Sequence, residues 1–365
     1  MRDSSTTLGM TKERTDLIST NAQLKELLSK LQPHDCIAID TEADSLHCYR
    51  EKLCLLQISV PGDDFIVDPL ADVDLAPLGD LLAEKEIILH GADYDLRLLR
   101  RAFGFTTRKV FDTVIAARLL GIREFSLAAL LKKFFDVDLV KGSQKANWAQ
   151  RPLPKRMVEY AINDTHYLLA LAEKLEEQLR ATKRMEWFRQ SCARAIEQSA
   201  IDRERDEEEA WRIAGAGALP PRAAAVLREL WRWRESEAER ADRPPFHILQ
   251  NEKLLHSAQS FINGHEPQIR HFSPRRRSTF RAAAQKGLDL PESELPVMRR
   301  RGGTRPTAAM VRRTEELKQR RDRAAGELKL EPSILAPRNV LEAIASDEQR
   351  AATMLVPWQR ELLKI

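Results

Sequence analysis

Short apolar runs alternate with amphipathic stretches over the first 200 residues, and only amphipathic stretches follow. CIAID, LCLLQISV, DFIVD and EIILH are rich in Ile, Leu and Val and bounded by Gly, Pro and Asp. They predict strands of one sheet. NAQLKELLSKLQP has helical periodicity and stops at Pro33. LAPLGDLLAEK, DYDLRLLRRAFG, DTVIAARLLG and SLAALLKKFF are helical patterns as well, and PKRMVEYAINDTHYLLALAEKLEEQLRATK predicts one long closing helix. LCLLQISV and DFIVD lie close enough for a hairpin, so the sheet is expected to be mixed, with helices flanking it in an α/β layer fold. KGSQKANWAQRPLP, with two prolines, predicts a polar loop.

Beyond residue 200 the texture changes to all-helical, led by the charged run IDRERDEEEA at 201–210. Residues 227–258 match residues 314–345 without gaps: Leu230 with Leu317, Arg234 with Arg321, Ala238 with Ala325, Pro245 with Pro332, Leu254 with Leu341 and Ala258 with Ala345. A duplicated small helical unit is the natural reading. SELPVMRRRGGTRPT, with its Gly pair and prolines, predicts the linker between copies. The expected organisation is a disordered lead at 1–18, an α/β domain at 19–200, a first helical domain at 204–290, a linker at 291–308 and a second helical domain at 309–365.

Composition narrows the function classes. The chain has 365 residues, 43% of them apolar and 31% charged. No apolar run approaches the ~18 residues that span a bilayer, and the N-terminal stretch lacks a signal core, so a cytoplasmic protein with no membrane partner is expected. The four cysteines (Cys36, Cys48, Cys54, Cys192) form no CxxC pair; buried free thiols in a reducing compartment are expected, and zinc is not implied. Residues 1–200 carry 28 basic and 30 acidic side chains, whereas the remainder carries 31 and 25. Most of that excess lies between Arg270 and Arg323, including Arg275–Arg277 and Arg299–Arg301. An acidic front and a basic back suit a metal site joined to a polyanion grip; a solvated arginine-rich linker is the plainer alternative.

The chemistry-bearing residues are few. Asp40 and Glu42 stand two apart at the end of CIAID, so on a strand both carboxylates face one way while Ile37 and Ile39 pack opposite. Asp95 follows EIILH near a helix start, where Asp93 is a candidate cap that leaves Asp95 free to face inward. Tyr160 and Asp164 are four apart on a helix and therefore neighbours. Each alone has an ordinary structural explanation: a polar strand end, a helix-start acid, a packed tyrosine. Together, several carboxylates in one cleft would either protonate or recruit divalent cations.

Taken in this order and within an α/β pattern, these motifs resemble the DEDD superfamily of 3′–5′ exonucleases. Within it they are similar to the ribonuclease D branch, which has Tyr in the third motif; the sister branch has His five residues before the last Asp, where this chain has Glu159. The resemblance covers about residues 20–200 and includes LCLLQIS, FDTVIAARLLG and NWAQRPLP. The helical repeats resemble tandem HRDC domains, with WRWRESEA the best match and the second copy more divergent, Lys318 and Arg320 standing at the positions of Trp231 and Trp233. The resemblance implies a ribonuclease H-like exonuclease domain followed by two small all-α HRDC-like domains. It implies two divalent ions, Mg²⁺ or Mn²⁺, held by Asp40, Glu42, Asp95 and Asp164, with Tyr160 orienting the attacking water. The implied reaction is release of nucleoside 5′-monophosphates from an RNA with a single-stranded 3′ end, precursor tRNA being the family expectation; no obligate protein partner is implied.

Three further residues are candidates for substrate contact. His47 and Tyr49 follow the acidic pair and could touch the terminal nucleotide. Trp148, between Lys145 and Arg151, could stack a base or anchor a packed loop. DNA as substrate and a non-catalytic binding scaffold are the competing readings. No GxxxxGK[ST] phosphate loop occurs, so ATP-driven unwinding is not supported.

Overall fold

A computed structural model describes residues 17–139, 142, 144–201, 206, 208–297 and 306–365. The α/β domain runs β1 (Leu17–Ile18), α1 (Asn21–Leu31), β2 (Cys36–Ala43), β3 (Leu53–Val60), β4 (Asp63–Val67), α2 (Ala76–Glu84), β5 (Glu86–Leu89), α3 (Asp93–Phe103), β6 (Val110–Asp112), α4 (Thr113–Leu119), α5 (Leu127–Phe135), α6 (Lys155–His166), α7 (Leu168–Ala181) and α8 (Met185–Ala200). The strands form one sheet in the order β1-β4-β3-β2-β5-β6. The β2–β3 and β3–β4 pairs are antiparallel; β2–β5, β5–β6 and β1–β4 are parallel. This is the mixed, helix-flanked sheet that the apolar runs predict.

Two cores sandwich the sheet. Ile37, Ile39, Leu56 and Ile58 pack with Leu24, Leu27, Leu78, Leu82 and Leu99 of α1, α2 and α3 on one side. Ala38, Ile88 and Phe111 pack with residues of α4, α5, α7 and α8 on the other. Local chemistry sets the element ends. Thr20 opens α1 with a capping box, its hydroxyl accepting from the Gln23 N–H while the Gln23 side chain accepts from the Thr20 N–H. Gly104, at φ +73°, closes α3 in the left-handed conformation that glycine adopts without a Cβ penalty.

Several expectations need correction. Leu17–Ile18 is a strand paired with Ile66–Val67, so the lead cannot extend to residue 18; residues 1–16 lie outside the described residues. The helix expected over 154–183 breaks at Tyr167. The last turn of α6 is tied to the β3–β4 hairpin: Ser59 Oγ lies 2.7 Å from Thr165 Oγ1 and His166 Nδ1 lies 2.6 Å from Asp64 Oδ2. Leu168, Leu171 and Leu175 of α7 instead enter the second core. In the charged run 201–210, residues 208–210 form a turn rather than a helix, and 202–205 and 207 lie outside the described residues. The same holds for 298–305 of the linker, including Arg299–Arg301; α13 already begins at residue 308.

The C-terminal half comprises α9 (Pro221–Arg240), α10 (Pro245–Ile248), α11 (Asn251–Ile262), α12 (Pro274–Leu288), α13 (Ala308–Leu328), α14 (Pro332–Leu335), α15 (Arg338–Ser346), α16 (Arg350–Met354) and α17 (Pro357–Leu363). The starts of α9, α10 and α11 recur at α13, α14 and α15 with the constant offset of the sequence repeat. A side-chain bond recurs with them. Arg234 donates to the Leu249 carbonyl at 3.1 Å, and its counterpart Arg321 donates to the Ala336 carbonyl at 3.1 Å.

Both helical units dock on the α/β domain. Trp358 of α17 stacks on Trp187 of α8 with centroids 4.9 Å apart, and Ala325, Leu330 and Leu335 join the second core. Gly121 is required there: its φ is +78°, and a Cβ would meet the Lys329 carbonyl oxygen at 2.6 Å. The first unit meets the loop after β2, where Arg50 pairs with Glu239 at 2.8 Å. Much of the expected basic grip is spent internally. Arg275 and Arg276 pair with the buried Glu237, and Arg281 pairs with Glu266.

Candidate active site

The cleft opens at the carboxyl ends of β2 and β5, where open α/β sheets bind ligands. β2 delivers Asp40 and Glu42 from the same face of one strand, and a register shift between Glu42 and Ala43 ends its regular pairing with β3. α6 crosses above and presents Tyr160 and Asp164 from one side of the helix. Carboxylate oxygens of Asp40, Glu42 and Asp164 lie within 4.8 Å of one another. Residues more than a hundred positions apart therefore form one acidic cage.

Asp95 reaches the same cleft from the first turn of α3 but stands outside that three-oxygen cluster. It is buried, and the Thr41 hydroxyl donates to its Oδ1 at 2.5 Å. Asp93 is not the helix cap. It pairs with Arg97, and the backbone N–H groups of Gly91 and Ala92 donate instead to Asp112. Asp112 also accepts from the N–H groups of Val114 and Ile115, so one buried carboxylate fixes the starts of both α3 and α4. Its motif, FDTV, carries no metal-ligand signature, and the sequence does not single it out.

The cage is electrostatically strained. Burial pushes the Asp40 carboxyl well above its ordinary range, and the charges of Asp95, Asp164 and Glu42 add to that. Glu42 is pushed to about 9 by burial and then by Asp164 and Asp95. Burial raises Asp164 to about 7, with the Tyr160 hydroxyl pulling it back. Asp95 rises to about 6 through burial, opposed by the Thr41 hydrogen bond. The Tyr160 phenol is raised as well, by burial and by its acidic neighbours, with the Gln144 side chain opposing that rise. Among the described residues no Lys or Arg forms an ion pair with Asp40, Glu42 or Asp164. Hard carboxylate oxygens crowded together without a basic partner fit a divalent metal centre.

This makes metal-free stability depend on pH. Each carboxyl has a folded-state pKa above its unfolded value, so the folded state binds more protons than the unfolded one. The stability these groups lend is complete below about pH 4, where both states are protonated. It is lost as pH climbs through the folded-state values of about 6, 7 and 9 for Asp95, Asp164 and Glu42. Thermal melts in chelator should therefore show Tm falling from pH 5 to pH 9. Asp40→Asn should remove part of that fall, and Mn²⁺ should reverse it in the unsubstituted protein.

The expected substrate contacts fare unevenly. Trp148 is fully buried, 6.1 Å from the Tyr160 ring, and packs with Cys54, Leu55, Met157 and Ala161. It cannot stack a base; it is the loop anchor. Arg151 locks the same loop, donating to both Asp68 oxygens at 2.6 Å and to the Trp148 and Cys54 carbonyls. Tyr49 turns away from the cleft: its N–H donates to Asp242 and its ring packs in the core of the first helical unit. His47 is exposed and bonds the Lys145 carbonyl at 3.2 Å, bridging the β2–β3 loop to the Trp148 loop. The β2–β3 loop is held at several further points. Asp44 takes the Lys52 N–H and ammonium, and Glu51 takes the Tyr94 hydroxyl and Arg101. The cysteines are free, and the described residues hold no Cys/His metal cluster. No helix among the described residues is long and apolar enough to cross a membrane.

Known proteins resemble this chain in sequence and fold. The 3′-5′ exonuclease family profile matches residues 15–180, and the HRDC domain profile matches residues 223–261. A ribonuclease D of Desulfotalea psychrophila is 28% identical over 369 residues, covering 96% of each chain. The crystal structure of Escherichia coli RNase D, described as an exoribonuclease involved in structured RNA processing, has the same fold. Its TM-score is 0.72 at 22% identity, over 96% of this chain and 99% of that one. The catalytic core of RRP6 from Trypanosoma brucei gives a TM-score of 0.66 at 28% identity, over 79% and 82% of the two chains.

Proposed function

Because this chain belongs to the ribonuclease D family of 3′–5′ exoribonucleases, we propose that it trims structured RNAs such as precursor tRNA from a single-stranded 3′ end by a two-metal-ion mechanism. The observation that carries this reading is the convergence of Asp40, Glu42 and Asp164 within 4.8 Å. Those three carboxylates would hold two Mg²⁺ or Mn²⁺ ions, with Asp95 serving through water from its place beside Thr41. Such ions lower the pKa of a bound water and neutralise charge on the attacking and leaving oxygens of an in-line displacement.

The remaining work falls to the chain. Tyr160 orients the attacking water together with Glu42. It does not remove the proton, because its own phenol is held above the ordinary tyrosine value. Trp148 supports the ring, with centroids 6.1 Å apart. The products are a nucleoside 5′-monophosphate and an RNA shortened by one residue.

Tyr160→Phe should lower kcat by about 10²-fold while leaving KM within a few-fold, since a positioning group acts mainly in the transition state. Steady-state kinetics on a single-stranded RNA checks this, and a pure KM effect speaks against positioning. The substrate reading is tested with a 3′-extended tRNA precursor and a DNA oligomer matching its tail, each incubated with Mg²⁺. Stepwise shortening of the RNA alone supports it; equal digestion of the DNA moves the substrate class.

A further inference from the structure

Gln57 lies in the middle of β3 and is 0% exposed. Among the described residues neither its amide nitrogen nor its amide oxygen has a hydrogen-bond partner. In the antiparallel β2–β3 ladder it stands directly opposite Asp40. Opposed residues share a face of the sheet, with Cβ atoms about 5 Å apart. The residues two before and two after it on the same face both reach α6: Leu55 packs with Met157 and Ala161, and Ser59 bonds Thr165. The Gln57 amide is thus enclosed between Asp40 and the helix that carries Tyr160 and Asp164. A buried amide with no partner weakens a fold, and an apolar side chain of similar shape would not. The position therefore serves something other than stability in the metal-free state.

We propose that Gln57 is a positioning residue of the metal centre, its amide N–H donating to the Asp40 carboxylate when that group is ionised and holds a divalent ion. The inference rests on the reading of Asp40 as a metal ligand. An ionised carboxylate accepts at both oxygens, so a cation on one lone pair leaves others for a fixed donor. Such a donor sets the direction of the ligand and raises its affinity, and losing one typically costs 10–100-fold in metal binding. Gln57 supplies that donor from a strand paired on both sides at this position, with Asp40 and with Ile66.

The test is calorimetric titration of the full-length protein with Mn²⁺, beside thermal melts in chelator, for the unsubstituted chain, Gln57→Leu and Gln57→Met. Both variants should bind Mn²⁺ about tenfold or more weakly, while melting in chelator at or above the unsubstituted temperature. Unchanged Mn²⁺ affinity in either folded variant overturns the proposal. So does weaker affinity accompanied by a lower metal-free melting temperature, because Gln57 would then be holding the fold. If the unsubstituted chain itself binds no Mn²⁺, the metal-centre reading fails before Gln57 is at issue.

Discussion

Asp164→Asn is expected to abolish metal-dependent exonuclease activity, by about 10³-fold or more, while the protein stays folded. The estimate follows from several kcal/mol of transition-state charge stabilisation per catalytic cation, at one decade of rate for each ~1.4 kcal/mol. Asparagine keeps the volume but removes the negative charge from one of three carboxylates whose oxygens lie within 4.8 Å. It also relieves the repulsion that adds to burial in holding Asp40 and Glu42 above their usual range. Loss of activity should therefore come with equal or higher metal-free stability near neutral pH. Asp40→Asn should behave alike. Single-turnover assays with saturating Mn²⁺, run beside thermal melts, separate this from a folding defect; near-normal rates in either variant would remove these carboxylates from the chemistry.

Trp148→Ala should destabilise the protein by ~3–5 kcal/mol, as for other fully buried large aromatics. In a domain of this size that is roughly a 10 °C fall in Tm. The indole fills the space between β3 and α6 and lies against the Tyr160 ring, so the cavity opens beneath the site. The variant's residual activity should fall through kcat, as Tyr160 loses its support. Base stacking by Trp148 would give the opposite pattern: an unchanged Tm with weaker RNA binding. Trp148→Phe should recover most of the stability because the ring still fills part of the space.

How much of this was legible in sequence depends on whether a feature is local. CIAID, LCLLQISV and DFIVD announce their strands because burial on both faces writes continuous apolar runs. The α10 and α14 starts are legible because Pro245 and Pro332 recur in the repeat. The break at Tyr167 is not. Met157, Ala161, Thr165, Leu168, Leu171 and Leu175 continue one helical stripe through it, and what turns the chain is Asp64 and Ser59 on a distant hairpin. Leu17–Ile18 and Val110–Asp112 are too short to show a period.

The same division holds at the site. Strand and helix periods put Asp40 with Glu42 and Tyr160 with Asp164 on common faces, but it is the order of these motifs and their resemblance to the exonuclease family that single them out. Asp112 also takes the N–H groups of Gly91 and Ala92 at the start of another helix, and Gln57 faces Asp40 across the sheet; nothing in their flanking residues announces those contacts. Tyr49 sits close behind the acidic pair in the chain, yet the fold gives it to the first helical unit through Asp242. That loop, held also by Arg50 and Glu239, joins the cleft's edge to the helical repeat.

Anomalous diffraction at the manganese edge, from crystals soaked in Mn²⁺, shows whether the clustered carboxylates hold metal. Two anomalous peaks are expected between the Asp40, Glu42 and Asp164 carboxylates, both lost in Asp164→Asn. An unpeaked cleft at saturating Mn²⁺, or manganese bound only elsewhere on the chain, would contradict the metal-centre reading.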